Sequence, residues 1–183
     1  MEKRSENNQI KPLPKIIVIT GAESTGKSTL TEELANHFNV PFLPEIARNY
    51  IENLNRKYTY NDIEKIARLQ VEQLKQYKNS EHRFIFLDTW LIVTKIWFEV
   101  VFSKGPAWLT SEIQNSKIDF FLVCNTDLPW IPDPVRENGG QMRNILQNRY
   151  IETITNYEFK YKVISGQKSD RLKNAIQCLD KLQ

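Results

Sequence analysis

Short apolar runs alternate along the chain with longer stretches of mixed polarity. Residues 15–20 (KIIVIT) form a continuous β-branched run, which is typical of a strand covered on both faces in a parallel sheet. Residues 84–87 (FIFL) form a second apolar run of this kind. Together with shorter segments, these runs predict five strands, at 15–20, 40–43, 84–87, 120–124 and 161–165.

Between the strands, apolar residues recur at helical spacing. In the first such stretch Leu30, Leu34 and Phe38 form one apolar stripe. Asn61 and Glu64 have the spacing of a helix cap and predict the start of a long helix. Helices are predicted at 27–38, 46–54, 61–77, 91–102, 106–115, 141–157 and 170–182.

The order of these elements predicts the fold class. Strands that alternate with helices indicate a three-layer α/β fold with a mainly parallel, five-stranded sheet. A chain of 183 residues is the size of one domain, predicted at 15–183 after a flexible tail at 1–14. Residues 125–140 contain three prolines and two glycines and are predicted to be a loop.

A phosphate-binding motif lies between the first strand and the first helix. It has the pattern G-x-x-x-x-G-K-[ST], in which backbone N–H groups and the helix N-terminus cradle phosphate oxygens. The lysine of this motif reaches the β- and γ-phosphates of ATP, and the following hydroxyl binds Mg²⁺. The predicted nucleotide-binding residues are Gly21, Ala22, Glu23, Ser24, Thr25, Gly26, Lys27, Ser28 and Thr29.

Two carboxylates follow predicted strands. Asp88 ends an apolar run, where it could hold Mg²⁺ or accept a hydroxyl proton; alternatively it caps a helix that begins at Thr89. Glu45 follows the second strand, with Arg48 one helical turn on, and this pair suits an acceptor hydroxyl. The alternative for Glu45 is a capped helix start with an exposed ion pair. The sequence leaves open which carboxylate is the base.

The predicted loop and the helix after it carry two arginines. Arg136 and Arg143 are candidate cations for a lid that closes over the transferred phosphoryl group. The alternative for both is solvated surface charge. Trp130, in the same loop, could stack on a planar ring or anchor the loop on the core.

Composition narrows the functional classes. The net charge of +3, from mixed acidic and basic residues, suits a nucleotide ligand and gives little support for nucleic-acid binding. The two cysteines lack metal-ligand spacing and are too few for a disulfide scaffold. In a bacterial-type cytosol both thiols are expected to be reduced. No signal peptide or membrane span is recognisable, and we expect a cytoplasmic protein without a membrane partner. The sequence leaves a homo-oligomer open.

The motifs GAESTGKSTL, PEIARNYI, YNDIEKIARLQ, FLDT and LPWIPDPVR, taken together, resemble the ribosylnicotinamide kinase domain of NadR-type proteins. The resemblance covers nearly the whole chain and implies a P-loop kinase fold, ATP with Mg²⁺, and nicotinamide riboside as the acceptor. In three respects the chain departs from that family. Pro44 stands where the family tends to have an aromatic residue, so Trp130 or Tyr50 is expected to contact the nicotinamide ring instead. Trp90 stands two residues after Asp88, where the family often has a second acid. Only a short tail occupies the place of the family's adenylyltransferase domain.

The sequence therefore predicts an ATP-dependent kinase of a nucleoside-like hydroxyl. Lys27, Asp88, Glu45 and Arg136 are the predicted catalytic residues. The predicted ligand contacts are Ser28 and Asp88 for the metal, Arg143 for the nucleotide, and Glu45, Arg48, Asp88 and Trp130 for the substrate. The alternatives are another nucleoside or nucleotide kinase, and a non-catalytic ATP-binding regulatory module.

Overall fold

A computed structural model describes residues 13–77 and 79–182. Five strands alternate with helices in these ranges, which confirms the predicted fold class. The first part of the predicted tail, residues 1–12, lies outside the described residues. The elements, in chain order, are β1 Lys15–Thr20, α1 Lys27–Phe38, β2 Phe42–Leu43, α2 Ile46–Glu52, α3 Tyr60–Tyr77, β3 Phe84–Asp88, α4 Leu91–Phe102, α5 Ala107–Asn115, β4 Phe120–Cys124, α6 Gly140–Asn156, β5 Tyr161–Ile164 and α7 Ser169–Asp180.

The five strands form one parallel sheet in the order β2-β3-β1-β4-β5. In the register of this sheet, Ile19 pairs with Asp88 on one side of β1, and Thr20 pairs with Val123 on the other. The carboxyl ends of the three central strands therefore lie side by side. Ligands of such sheets bind at this edge.

The sheet separates two apolar cores, which gives the predicted three layers. Along β1, Ile16 and Val18 face the core formed with α3, α4 and α6, while Ile17 and Ile19 face the core formed with α1 and α7. All four side chains are buried, as expected for a strand covered on both faces. Among the described helices, none is both long and apolar enough to cross a membrane.

The start of α3 differs from the sequence prediction. Helix α3 begins at Tyr60, and its cap is Thr59, whose N–H and hydroxyl both donate to Asp62 Oδ2 at 2.7 Å. The cap predicted from Asn61 and Glu64 is therefore wrong; Glu64 instead accepts a hydrogen bond from the Trp108 indole. The long-range contact satisfies Glu64, and the Asp62 carboxylate satisfies the Thr59 amide at the start of the helix.

The start of α4 excludes the alternative that Asp88 caps this helix. Helix α4 begins at Leu91, with Trp90 in an extended conformation as its N-cap and no side-chain capping bond. Thr89 has a positive φ of 69° and lies outside the helix. Asp88 is thus the last residue of β3 rather than a cap for α4.

Candidate functional site

The backbone of the loop after β1 wraps around the N-terminus of α1. Three of its residues have positive φ, namely Gly21, Ser24 and Gly26. A Cβ atom on Gly21 would lie 2.6 Å from the carbonyl oxygen of Cys124, so only glycine lets the loop pass this close to β4. A loop of this kind at a helix N-terminus is suited to bind an anion.

Two buried side chains of α6 fasten this loop to β4 and to the segment beyond it. Gln147 accepts a hydrogen bond from the Ala22 amide at 2.8 Å and donates one to the Cys124 carbonyl at 2.9 Å. The Arg143 guanidinium donates to the carbonyls of Glu23, Leu128 and Ser24 at 2.9, 2.8 and 3.0 Å. Burial lowers the pKa of Arg143, which is 7% exposed. Arg143 is thus not a surface cation; its guanidinium holds the loop that would bind the phosphates.

Two P-loop side chains point to the lid segment, residues 125–139, which connects β4 to α6. The Glu23 carboxylate accepts hydrogen bonds from the amides of Glu137 and Asn138 at 3.2 and 3.0 Å. The Ser24 hydroxyl accepts one from the Ile131 amide at 2.9 Å. Neither of these two contacts was anticipated, since the sequence placed Glu23 and Ser24 only at the nucleotide.

Lys27, Ser28 and Asp88 converge at the mouth of the loop. Lys27 Nζ donates to the Ala22 carbonyl at 3.1 Å, and the Ser28 hydroxyl lies close enough to the Asp88 carboxylate to lower its pKa. Burial raises the pKa of Asp88, although Ser28 and Lys27 act against this. One oxygen of the buried Asp88 carboxylate, Oδ1, has no hydrogen-bond partner among the described residues.

These oxygens fit a magnesium ion. Mg²⁺ prefers oxygen ligands and usually takes one or two from the protein, with phosphates and water completing its shell. A hydroxyl and a carboxylate with an unpartnered oxygen supply such a pair at Ser28 and Asp88. No group of three or more metal-binding side chains occurs in the described part of the chain.

Glu45 lies across the site from the phosphate loop. It occupies the N-cap position of α2 but makes no side-chain capping bond, and its carboxylate lines the cavity described below. Desolvation raises the pKa of Glu45, Lys27 lowers it and Asp88 raises it again, with a net upward shift. Arg48 pairs with Glu52 and Asp133. The alternative for Glu45, a capped helix start with an exposed ion pair, is therefore not the arrangement seen.

A cavity of ≈ 1210 Å³ connects the phosphate loop with an apolar wall on α4. Its volume exceeds the roughly 300–1,000 Å³ of a pocket for one drug-sized ligand. It therefore has room for two ligands side by side. The wall and the rim opposite the phosphate loop are formed by Tyr58, Val93, Ile96, Trp97, Val100, Val101, Phe102, Leu146 and Tyr150.

The aromatic residues of this wall differ from those expected. Trp97 and Tyr58 line the cavity, and their rings meet edge to face at 4.9 Å between centroids. Trp130 is not among the described lining residues; its indole packs against Gly139 and lies 3.4 Å from Glu23. Tyr50, also outside the lining, donates to Asp62. The structure thus favours the alternative that Trp130 anchors the loop. Trp97 and Tyr58, rather than Trp130, are the aromatic side chains that line the cavity.

Arg136 lines the cavity from the lid segment. Its Nη1 donates to the Ile131 carbonyl at 2.6 Å, and its Nε lies 3.0 Å from Asp133 Oδ2. Desolvation raises the pKa of Asp133, but the hydrogen bonds from Arg48 and from the Val135 amide outweigh it, and the pKa is lowered. The predicted lid cation is therefore on the cavity, held by an aspartate that the sequence analysis did not single out.

A phosphate loop after the central strand of a parallel sheet, with a carboxylate at the end of the adjacent strand, defines a P-loop nucleotide-binding protein. The AAA domain family matches residues 16–171, and the chain belongs to this family.

The chain is also similar to NadR proteins. It is 26% identical over 159 residues to the trifunctional NAD biosynthesis/regulator protein NadR of Salmonella typhimurium, and this match covers 82% of the chain and 39% of that protein. A solved NadR protein in complex with NR superposes with a TM-score of 0.78 at 23% identity, covering 92% of this chain and 51% of that one. The chain therefore spans about half or less of the length of these relatives.

A likeness in fold extends to small nucleotide kinases. Thymidylate kinase from Ehrlichia chaffeensis superposes with a TM-score of 0.66 at 13% identity, covering 94% of this chain and 100% of that one. At this identity, the match shows the fold alone.

Proposed function

We propose that this protein transfers the γ-phosphoryl group of ATP to a hydroxyl of nicotinamide riboside and forms nicotinamide mononucleotide. The observation that carries the proposal is the single cavity that joins the phosphate loop to an apolar, aromatic wall, with Glu45 lining it between them. The similarity to NadR supports the choice of acceptor, because one solved NadR protein has NR bound and another NAD and AMP-PNP.

The residues around the phosphate loop would bind ATP. The amides of the loop hold the phosphates, and Lys27 pairs with the β- and γ-phosphates. Ser28 and Asp88 would hold Mg²⁺, which when bound neutralises negative charge on the phosphate oxygens. Arg136, on the lid segment, would stabilise the charge that develops on the transferred group.

Asp88 and Glu45 would divide the acid–base work between them. Asp88 contacts Ser28 and lies on the metal side, whereas Glu45 lines the cavity on the acceptor side. A raised pKa makes Glu45 a better proton acceptor than an ordinary carboxylate. We therefore propose that Glu45 accepts the proton of the attacking hydroxyl and that Asp88 positions the metal.

The charges at the acceptor end favour a nucleoside over a nucleotide. Arg48 pairs with Glu52 and Asp133, and Arg56 pairs with Asp62. Cations already neutralised by carboxylates attract an acceptor phosphate weakly. Trp97 and Tyr58 offer ring edges and faces to the base, and an aromatic face also attracts a cationic ring such as nicotinamide.

An acceptor screen tests this function. ADP release is measured with nicotinamide riboside, uridine, deoxyadenosine and thymidine monophosphate, each with ATP and Mg²⁺. We expect acceptor-dependent release with nicotinamide riboside. Turnover of thymidine monophosphate alone would make the protein a nucleotide kinase, and slow hydrolysis that ignores every acceptor would favour the regulatory module.

A pair of tryptophan variants tests the ring contact. Trp97→Leu should raise the Michaelis constant for nicotinamide riboside roughly three- to thirtyfold, since a cation–π contact is worth about 0.5–2 kcal/mol. Trp108→Leu is the matched control, because the Trp108 indole contacts Glu64 and Arg68 and does not line the cavity. An equal Michaelis constant in both variants would contradict the role of Trp97.

The reaction consumes ATP, and both cysteines are free. These features agree with a cytoplasmic location, which we include in the proposal. Oligomeric state does not enter it, since every proposed contact comes from one chain.

A further inference from the structure

Asp133, in the lid segment, uses its two carboxylate oxygens for different contacts. Oδ1 accepts the backbone N–H groups of Val135 and Arg136 at 3.0 and 3.1 Å, which fixes the turn of the lid. Oδ2 accepts Arg48 Nη2 at 2.8 Å and lies 3.0 Å from Arg136 Nε. One oxygen therefore shapes the loop, and the other joins two arginines.

The two arginines belong to different parts of the cavity. Arg48 is on α2, three residues after Glu45, and Arg136 is on the lid segment. Both line the cavity, and their side chains are 34% and 25% exposed. Two guanidinium groups that contact the same atom would repel one another without a negative charge between them. The Asp133 carboxylate supplies this charge, because its Oδ2 contacts both arginines.

We propose that Asp133 is a positioning residue that ties Arg136 to α2 and so sets the place of this arginine over the transferred phosphoryl group. The inference rests on the proposed kinase function. An arginine side chain has several rotatable bonds, and a cation stabilises a transition state best when it is held in place beforehand. Asp133 also contacts Arg48 on α2, the helix that follows Glu45. The acceptor side of the site would therefore help to position the lid segment.

Asp133→Asn separates the two jobs of the carboxylate. The amide oxygen can still accept the Val135 and Arg136 N–H groups, so the turn is kept. The amide nitrogen then faces two guanidinium donors and can accept from neither. We expect the turnover number to fall about 10- to 100-fold, while the Michaelis constant for ATP changes by less than about threefold. Glu52→Gln, which removes the other partner of Arg48, should change turnover by less than about twofold.

A double-mutant cycle shows whether Asp133 acts through Arg136. Arg136→Ala should lower turnover about 100-fold or more. If the inference holds, adding Asp133→Asn to this variant lowers turnover by less than a further factor of about two. A double variant whose losses multiply, or an Asp133→Asn protein with normal turnover, would overturn it, because a general structural role is independent of Arg136.

A second measurement needs neither acceptor nor turnover. Hydrogen–deuterium exchange of residues 128–139 is followed with AMP-PNP bound. Asp133→Asn and Arg48→Ala should both increase exchange in this segment, and Glu52→Gln should not. If wild-type protein phosphorylates no nucleoside, the proposed function fails. The exchange measurement still tests whether Asp133 holds the lid segment, because unchanged protection in Asp133→Asn would refute this role.

Discussion

Replacing Arg143 by lysine keeps the positive charge of this side chain but removes its planar fork. In the structure, the guanidinium donates to three carbonyls, two in the phosphate loop and one at Leu128. An ammonium group presents its donors from one atom and cannot span these positions. The substitution therefore distinguishes a cation that acts on nucleotide charge from one that holds the loop.

The size of the effect follows from the lost hydrogen bonds. A buried carbonyl without a donor costs about 1–3 kcal/mol, and lysine is expected to leave one or two of the three in this state. We expect a loss of about 2–4 kcal/mol in the free energy of unfolding. For a chain of this size that corresponds to a decrease in Tm of about 4–16 °C. A looser phosphate loop should also lower kcat/KM for ATP about tenfold or more.

The assay combines thermal unfolding with kinase turnover at varied ATP. Arg149→Lys is the matched control, because Arg149 lies on the same helix and makes a partly exposed pair with Glu99. Its Tm should change by less than about 3 °C, since such pairs contribute roughly 0–1 kcal/mol. An Arg143→Lys protein with the wild-type Tm would refute the loop-holding role. If its kcat/KM for ATP were then also normal, charge alone would suffice at this position.

Three further predictions concern the proposed catalytic groups. Lys27→Ala should lower turnover at least about 100-fold with little change in Tm, because Lys27 is the partly exposed first residue of α1 and not part of the core; normal turnover in folded protein would contradict its role. Asp88→Asn should also cost about 100-fold in rate, and since Asp88 does not cap α4 and burial raises its pKa, Tm should not fall. The turnover number should fall with decreasing pH through a pKa above 4.5, the ordinary value for glutamate, because the base Glu45 becomes protonated. Glu45→Gln should be slower and lack this acid limb; an unchanged pH profile would assign it to another group.

The same shift at Glu45 predicts the sign of a stability effect. A carboxyl whose folded-state pKa is raised binds its proton more tightly in the folded protein, so its ionisation lowers stability as pH rises above 4.5. At pH 7, Glu45→Gln should therefore unfold at a higher Tm than the wild type. At a pH below 4.5 the difference should shrink, and thermal unfolding at both pH values checks this.

Local patterns in the sequence were enough to predict the strands of the sheet and the centre of the phosphate site. β-branched runs, helical periodicity and the glycine–lysine motif are local patterns, and local patterns decide which segments become strands, helices or a phosphate loop. The place of Asp88 followed once the structure paired β3 with β1, because the carboxyl ends of adjacent parallel strands meet at one edge of the sheet. Lys27, Ser28 and Asp88 were therefore brought together as expected.

The contacts of the remaining polar side chains depend on the three-dimensional packing of the chain and could not be predicted from the sequence. Arg48 meets Asp133 across 85 residues, and Glu23 meets Asn138 across 115. Arginine is a residue type that is usually exposed, yet the packing of α6 against the sheet buries Arg143. Such contacts depend on how helices and loops are placed in space, and sequence spacing carries no information about this placement.

The aromatic wall illustrates the same limit. Two tryptophans were equally suited by residue type to contact a planar ring, but the lid folds Trp130 onto Gly139 and the turn of α4 directs Trp97 to the cavity. The direction of a helical side chain is set by the helix phase relative to the core, and that phase is fixed when α4 packs against α3 and α6. The sequence determined that an aromatic surface was available, and the packing of the helices decided which one faces the site.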